Sequence, residues 1–312
     1  MTEEGVGLPL VMPVTPYDDL HFDPEGQIII EMMTNDEVST AITVDKIVAL
    51  TSTLAETSSK IDLDQHTSNV TLTILALSMR VPHDKQSKLV DFCFRLHLHT
   101  IPDPINGGAL SLWGLDGVFW SKWPQLEFIA AMYDLTGFLG EIHAGDFQSY
   151  QNYTAWRAQL SELGFSLWKE ELSLAYMHLM AVFSHNYDHS ERREFVRLMC
   201  MWFIYAPNKI WLDVQLRRRS PNTNLDKTDG FQRCFWPCWK KFLKGCQESK
   251  VNEDEEALSN DEGDNIEVAS AQDVLDEDTQ ELIRRALENM EKVEAEHAIR
   301  WGKPSITQRA TD

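Results

Sequence analysis

Asp146–Ala206 reads DFQSYQNYTAWRAQLSELGFSLWKEELSLAYMHLMAVFSHNYDHSERREFVRLMCMWFIYA, and the spacing of its apolar side chains decides the fold. Phe147, Tyr150, Tyr153, Trp156, Leu160 and Leu163 recur at steps of three and four, between Asp146 as an N-cap and Gly164 as a stop. A second stripe holds Trp168, Leu172, Ala175, Tyr176, Leu179 and Phe183, with Lys169, Glu170 and Glu171 off it. A third starts at Ser190, an N-cap with Glu191 suited to the positive helix end, and runs through Phe195, Met199, Trp202, Phe203 and Ala206. From Leu198 to Ala206 this last pattern is apolar on every side, so it predicts a helix surrounded by others and limited by Pro207. Three amphipathic helices in a row predict an all-α chain, an antiparallel multi-helix bundle or a short array of helix pairs. Their periodicity specifies a core and no chemistry.

Toward the N-terminus, Pro9, Pro13, Pro16 and Pro24 among acidic residues predict an irregular arm over residues 1–30. Thr34 to Glu37 has the form of a capping box, opening a helix to about Thr57 with Val38, Ile42, Ile47, Leu50 and Leu54 roughly on one side. From about Gln65 to Arg80, Val70, Ile74 and Leu77 keep helical spacing; the Thr, Val and Ile content also suits a strand, and length favours helix. Asp84 can cap the next helix, whose stripe is Leu89, Phe92, Cys93 and Leu96. Pro102, Pro104, Gly107 and Gly108 then break regular structure. Trp120, Trp123 and Pro124 read as an inter-helix corner.

Toward the C-terminus, Lys209 to Leu216 predicts one more helix, and the composition then changes. Residues 217–250 hold nine Lys or Arg against three acids, while residues 251–281 hold thirteen carboxylates and no Lys or Arg. The acidic run cannot bury enough apolar area to offset its ordering entropy, so 251–278 is expected to be a disordered linker. Residues 279–301 form an amphipathic pattern, with Leu282, Ala286, Met290, Val293 and His297 on its stripe, able to dock on a helical domain expected over 31–216.

Leu112, Trp113, Trp120 and Pro124, followed by Tyr153, Trp156, Leu160 and Trp168, resemble a family of uncharacterised, mainly helical fungal proteins. There a Leu-Trp and Trp-Pro region precedes a Trp-centred helix and a long apolar one. The resemblance covers about residues 35–215, implies a helical domain of unknown function and offers no activity or catalytic residues. The Cys-rich and acidic segments fall outside the resembling pattern.

At 312 residues and 43% hydrophobic, the chain can bury a substantial core. A formal charge of -21 disfavours general binding to nucleic acid, whose backbone it repels. Five cysteines, an odd number, and an N-terminus unlike a signal peptide point to reduced thiols in the cytoplasm or nucleus.

Candidate chemistry is thin. His178, His185 and His189, with Asp188 supplying oxygen, form a ligand set of the type zinc or iron uses, but Asn186 to Ser190 reads as a turn that would separate them. Cys234, Cys238 and Cys246, at spacings of four and eight, could present thiolates to zinc from one helix side, without a fourth ligand at typical spacing. The same segment offers a membrane-surface reading: Trp236 and Trp239 entering the interface, Lys240, Lys241 and Lys244 attracting anionic lipid, and Cys234 and Cys238 as acylation sites. The plain alternative is a basic linker packed on the domain. His97 with His99, and Glu141 with His143, are neighbours in sequence only. No nucleophile elbow, phosphate loop, dinucleotide fingerprint or H-E-x-x-H motif occurs in the chain. The expectation is a non-catalytic helical interaction or scaffold protein inside the cell, with a protein partner and no cofactor. Its rivals are an enzyme assembled from dispersed polar residues in an inter-helix pocket, and weak attachment to a membrane through residues 231–246.

Overall fold

Pro24 stands in the first turn of helix α1 (Pro24–Thr34), where the missing N–H is one that helix ends leave unbonded anyway. The computed structural model describes residues 23–57, 60–104, 107–110, 147–164, 175–179, 182–183, 189–219, 235–248 and 275–301. The irregular arm expected through residue 30 is thus corrected from Pro24 onward: one of the four prolines that suggested it opens a helix. Helix α2 (Thr40–Thr57) follows, and its cap is Ser39, whose Oγ accepts the Ile42 N–H at 3.3 Å, rather than Thr34. Thr34 instead ends α1, donating to the Ile30 carbonyl at 2.8 Å, and the Asn35 side chain accepts from the Glu37 N–H at 2.9 Å to make the connecting turn.

Helix α3 (Lys60–Arg80) resolves the strand-or-helix ambiguity. Its hydroxyls fold back on their own backbone, Thr67 to Leu63 O and Thr73 to Asn69 O, both at 2.8 Å, so they are satisfied without a sheet. A 3₁₀ turn, His83–Lys85, holds Asp84, and α4 (Ser87–His97) begins after it. Helix α1 packs on α2, α3 and α4, and α2 on α4, around Ile29, Met32, Ile47, Val70, Ile74, Leu77, Leu89, Phe92 and Leu96, all fully buried. The buried Gln86 amide ties this packing together, donating to the carbonyls of Ser78 (2.8 Å), Val81 (3.0 Å) and Asn152 (3.0 Å). In the turn beyond α4, Gly107 (φ 70°) and Gly108 (φ 81°) take the left-handed conformation that only glycine adopts cheaply.

Helix α5 (Phe147–Glu162) is closed by Gly164 at φ 79°, as its sequence predicts. The chain divides into two compact units, Met1–Tyr153 and Thr154–Asp312, with a boundary inside α5, within the stretch 31–216 expected to be one helical domain. In the second unit, residues 175–179 are helical and are followed by α6 (His189–Tyr205), α7 (Pro207–Arg219), α8 (Phe235–Glu248) and α9 (Glu277–Trp301). Pro207 both limits α6 and opens α7. The Glu162 carboxylate lies at the positive end of α7, accepting from the Asn208 amide (2.7 Å) and the Lys209 N–H (3.1 Å).

The core of this unit is aromatic. Phe203 meets Trp236 edge to face at 5.4 Å and Trp239 at 5.7 Å, while Trp211 packs on Trp236 at 4.9 Å. Trp156 and Trp202 are fully buried, and Met199, Ile210, Leu243, Ile283, Ala286 and Met290 complete the packing. Helix α9 lies against α6, α7 and α8 and starts at Glu277, two residues before the expected limit.

The protein is all-α. Among the described residues there is an isolated antiparallel bridge between Pro102 and Ala109 and no strand. No described helix is long and apolar enough to cross a membrane. The expected disorder of the acidic run, the Trp120–Pro124 corner, Glu141 with His143, and Trp168 lie outside the described residues.

Candidate functional site

Helix α5 departs from a one-sided stripe. Leu163, assigned to its apolar face, is 48% exposed, whereas Thr154, Arg157 and Ser161 are buried although they belong to the polar side. Those three stand at i, i+3 and i+7, hence on one face. A fully buried arginine is uncommon, because removing a guanidinium from water costs several kcal/mol unless its donors are matched. At 1% exposure, Arg157 places this face of α5 within the packed interior.

His178 adjoins it. Burial drives its imidazole down to about 3 from the ordinary histidine value, and the nearby Arg157 charge pushes the same way. The ring is therefore neutral at physiological pH. Its Nδ1 accepts the Trp202 indole N–H at 3.2 Å, which leaves the ring proton on Nε2. A neutral histidine so arranged offers one donor and neither a free Nδ1 lone pair nor an accessible proton. A buried imidazole kept neutral at physiological pH is poorly suited to proton transfer.

This geometry corrects the metal reading of His178, since its Nδ1 is engaged by Trp202. Of the remaining members of that set, His185 and Asp188 lie outside the described residues, and His189 opens α6. Among the described residues, no group of three or more His, Cys, Asp or Glu side chains is placed to hold a metal ion.

The cysteine and tryptophan segment is corrected more fully. The buried stripe of α8 is Trp236, Trp239, Leu243 and Cys246, and Cys238 is exposed. Eight residues advance a helix by about 80° beyond whole turns, which suffices to put Cys246 in the core and Cys238 outside it. Cys234 lies outside the described residues. Burial pushes the Cys246 thiol up to about 11, and that of Cys200 further still, so neither supplies a thiolate at neutral pH.

Trp236 and Trp239 are buried in the protein, so the face proposed for membrane contact is committed to packing. The Trp236 indole donates to Glu294 Oε1 at 2.8 Å, and Lys240 pairs with Glu294 at 2.7 Å and Glu291 at 3.4 Å. Lys244 also reaches Glu291 at 3.4 Å, while Lys241 is exposed.

The first unit contains a polar constellation that sequence reading missed. His66 Nδ1 donates to Glu25 Oε1 at 2.7 Å, the Asn69 amide donates to Glu25 Oε2 at 3.3 Å, and Thr51 Oγ1 lies 2.9 Å from His66 Nε2. Burial raises the Glu25 carboxyl, but hydrogen bonds from His66, its own backbone and Asn69, with the His66 charge, outweigh it and hold the group below the usual range. The order hydroxyl, imidazole, carboxylate is that of a nucleophilic relay. Here it is buried, and the Thr51 hydroxyl also reaches the Ile47 carbonyl at 2.7 Å. The arrangement serves as a clamp joining α1, α2 and α3. No sequence motif could show it, because its members come from three helices.

The family match separates these features by their position along the chain. The chain belongs to the family described as Protein of unknown function (DUF3632), whose profile matches residues 72–243. No curated protein and no solved structure matches the chain. The DUF3632 stretch includes Arg157, His178, Trp202, Trp236 and Trp239; it also includes Cys234 and Cys238, which the resemblance had left outside. Glu25, Thr51, His66 and helix α9 lie beyond the DUF3632 match.

Proposed function

We propose that this DUF3632 protein is a non-catalytic interaction protein that works through its helical surfaces inside the cell. The observation supporting the reading is how its chemically capable groups are engaged. His178 is neutral beneath Trp202, His66 is bonded between Glu25 and Thr51, and the Cys200 and Cys246 thiols are buried with their proton affinities raised. Such groups stabilise packing and are poor nucleophiles or acid–base catalysts at neutral pH. Crosslinking in the native host followed by mass spectrometry tests this. Reproducible crosslinks from one set of surface lysines to another polypeptide are expected, and their absence at native expression levels would overturn the reading.

One observation favours a second reading. The Arg157 charge acts on the buried His178 imidazole, and a catalytic site in this unit would be built around that pair. Untargeted metabolite profiling with the wild-type chain and His178→Gln distinguishes the two. A conversion seen with the first and lost with the second would replace binding by catalysis.

A further inference from the structure

Helix α9 carries what it needs to be a helix by itself. It is 25 residues long, beyond the roughly 12–15 below which isolated helices are marginal. Asp276 caps it, accepting both the Thr279 N–H and the Thr279 hydroxyl at 2.7 Å. On its exposed face Arg284 bridges Glu281 and Glu288, one turn away on either side. Its attachment to α8 is residues 249–274, 26 residues that could reach at most about 90 Å, so covalent linkage does not impose the docking.

What α9 shares with the rest of its unit has the form of a ligand in a groove. Leu282, Ile283, Ala286, Leu287, Met290 and Val293 are buried against α6, α7 and α8. Opposite charges meet at both ends of that stripe. Asp276 lies 3.6 Å from Arg193 and 3.8 Å from Arg197 on α6, while Glu291 and Glu294 face Lys240 and Lys244 on α8. These two clamps, some 15–18 residues apart and thus about 22–27 Å along a helix, set both register and direction. Two neutral bonds add to them, Asn289 to the Ile204 carbonyl at 3.0 Å and Gln280 to the Cys246 carbonyl at 3.3 Å. The groove helices α6 and α7, with α8 as far as residue 243, fall inside the DUF3632 match, and α9 falls outside it.

We propose that the groove of α6, α7 and α8 is a receptor for an amphipathic helix with acidic residues at both ends of its apolar stripe, and that α9 is its displaceable occupant in this chain. This rests on the reading of the protein as a binder and supplies the chemistry of its partner. An incoming helix must match both the apolar stripe and the spacing of the acids. Tethering favours α9 through effective concentration, so an external helix competes only when it binds more tightly or is abundant.

The test uses the full chain with a protease-cleavage sequence inserted between Asn260 and Asp261, and a fluorescent peptide of residues 275–301. After cleavage the C-terminal piece should remain associated on gel filtration and exchange with the peptide, which the uncut chain should take up at least tenfold more weakly. A Glu294→Lys peptide should bind the cut wild-type chain at least tenfold more weakly and regain affinity for a cut chain carrying Lys240→Glu. Loss of helical circular dichroism on cleavage, or a folded cut chain that never exchanges, would overturn the proposal and make α9 a permanent part of the core. Neither result bears on crosslinking in the host, whereas a turnover lost in His178→Gln would overturn the binding reading and leave peptide exchange unaffected.

Discussion

The two units of this chain bury polar groups in opposite ways. In the first, the carboxylate, imidazole and hydroxyl of Glu25, His66 and Thr51 come from three helices and are bonded to one another. In the second, His178 accepts from the Trp202 indole, and the imidazole stays neutral because burial and the Arg157 charge both oppose its protonation. A charged group bonded by its neighbours and a neutral group kept from charging are both compatible with a packed interior, but acid affects them over different ranges.

The largest expected effect lies in the aromatic unit. Trp202→Ala removes a fully buried ring together with the indole N–H that His178 accepts, and should destabilise the protein by about 3–5 kcal/mol in chemical denaturation. An unchanged midpoint would show that the aromatic core does not carry the second unit.

Acid is the sharper comparison. The lowered His178 value means that the unfolded chain takes up a proton at this site before the folded one does. Its contribution is therefore fully present above 6.5, the ordinary histidine value, and is lost as pH falls toward about 3. The slope should approach about 1.4 kcal/mol per pH unit within that window. Glu25 is also lowered, so its contribution is full above 4.5, the ordinary glutamate value, and is lost only as pH falls through its depressed folded value. A His178→Gln chain should lose less stability between pH 6.5 and 4.5 than wild type. A histidine resonance of residue 178 that titrates between pH 5 and 8 would break the comparison.

A smaller effect is expected in the first unit. Glu25→Gln keeps an acceptor for His66 but replaces a charge-assisted bond by a neutral one, at a loss of about 1 kcal/mol at neutral pH. Because wild-type Glu25 itself becomes neutral in acid, the difference should narrow as pH falls below 4.5 and close only once pH is below the depressed folded value. A gap that persists there would point to steric rather than ionic causes. The smallest effect is Arg284→Ala on α9, where both ion pairs are solvent-exposed and the denaturation midpoint should not move measurably.

How much of this was legible in the chain depends on how local the signal is. The stop at Gly164, the stripe of α6 and the burial of Trp156 and Trp202 follow from spacing alone, since a helix repeats every 3.6 residues whatever its surroundings. Start positions were less legible. Thr34 and Ser39 are both good caps, and which one opens α2 depends on whether α1 already occupies the residues before it. In α8, the eight-residue spacing of Cys238 and Cys246 tempted a one-sided reading that the helix turn denies.

Sequence by itself determined that the described chain is helical, where most helices lie and which of their faces need burial, because each of these is written in residues three or four apart. Only tertiary structure decided that Trp236 and Trp239 face protein, that the polar side of α5 is also covered, and that Glu25 meets His66. Those outcomes depend on which surfaces other helices bring, and residues 41 apart carry no mark of their pairing until the chain has folded.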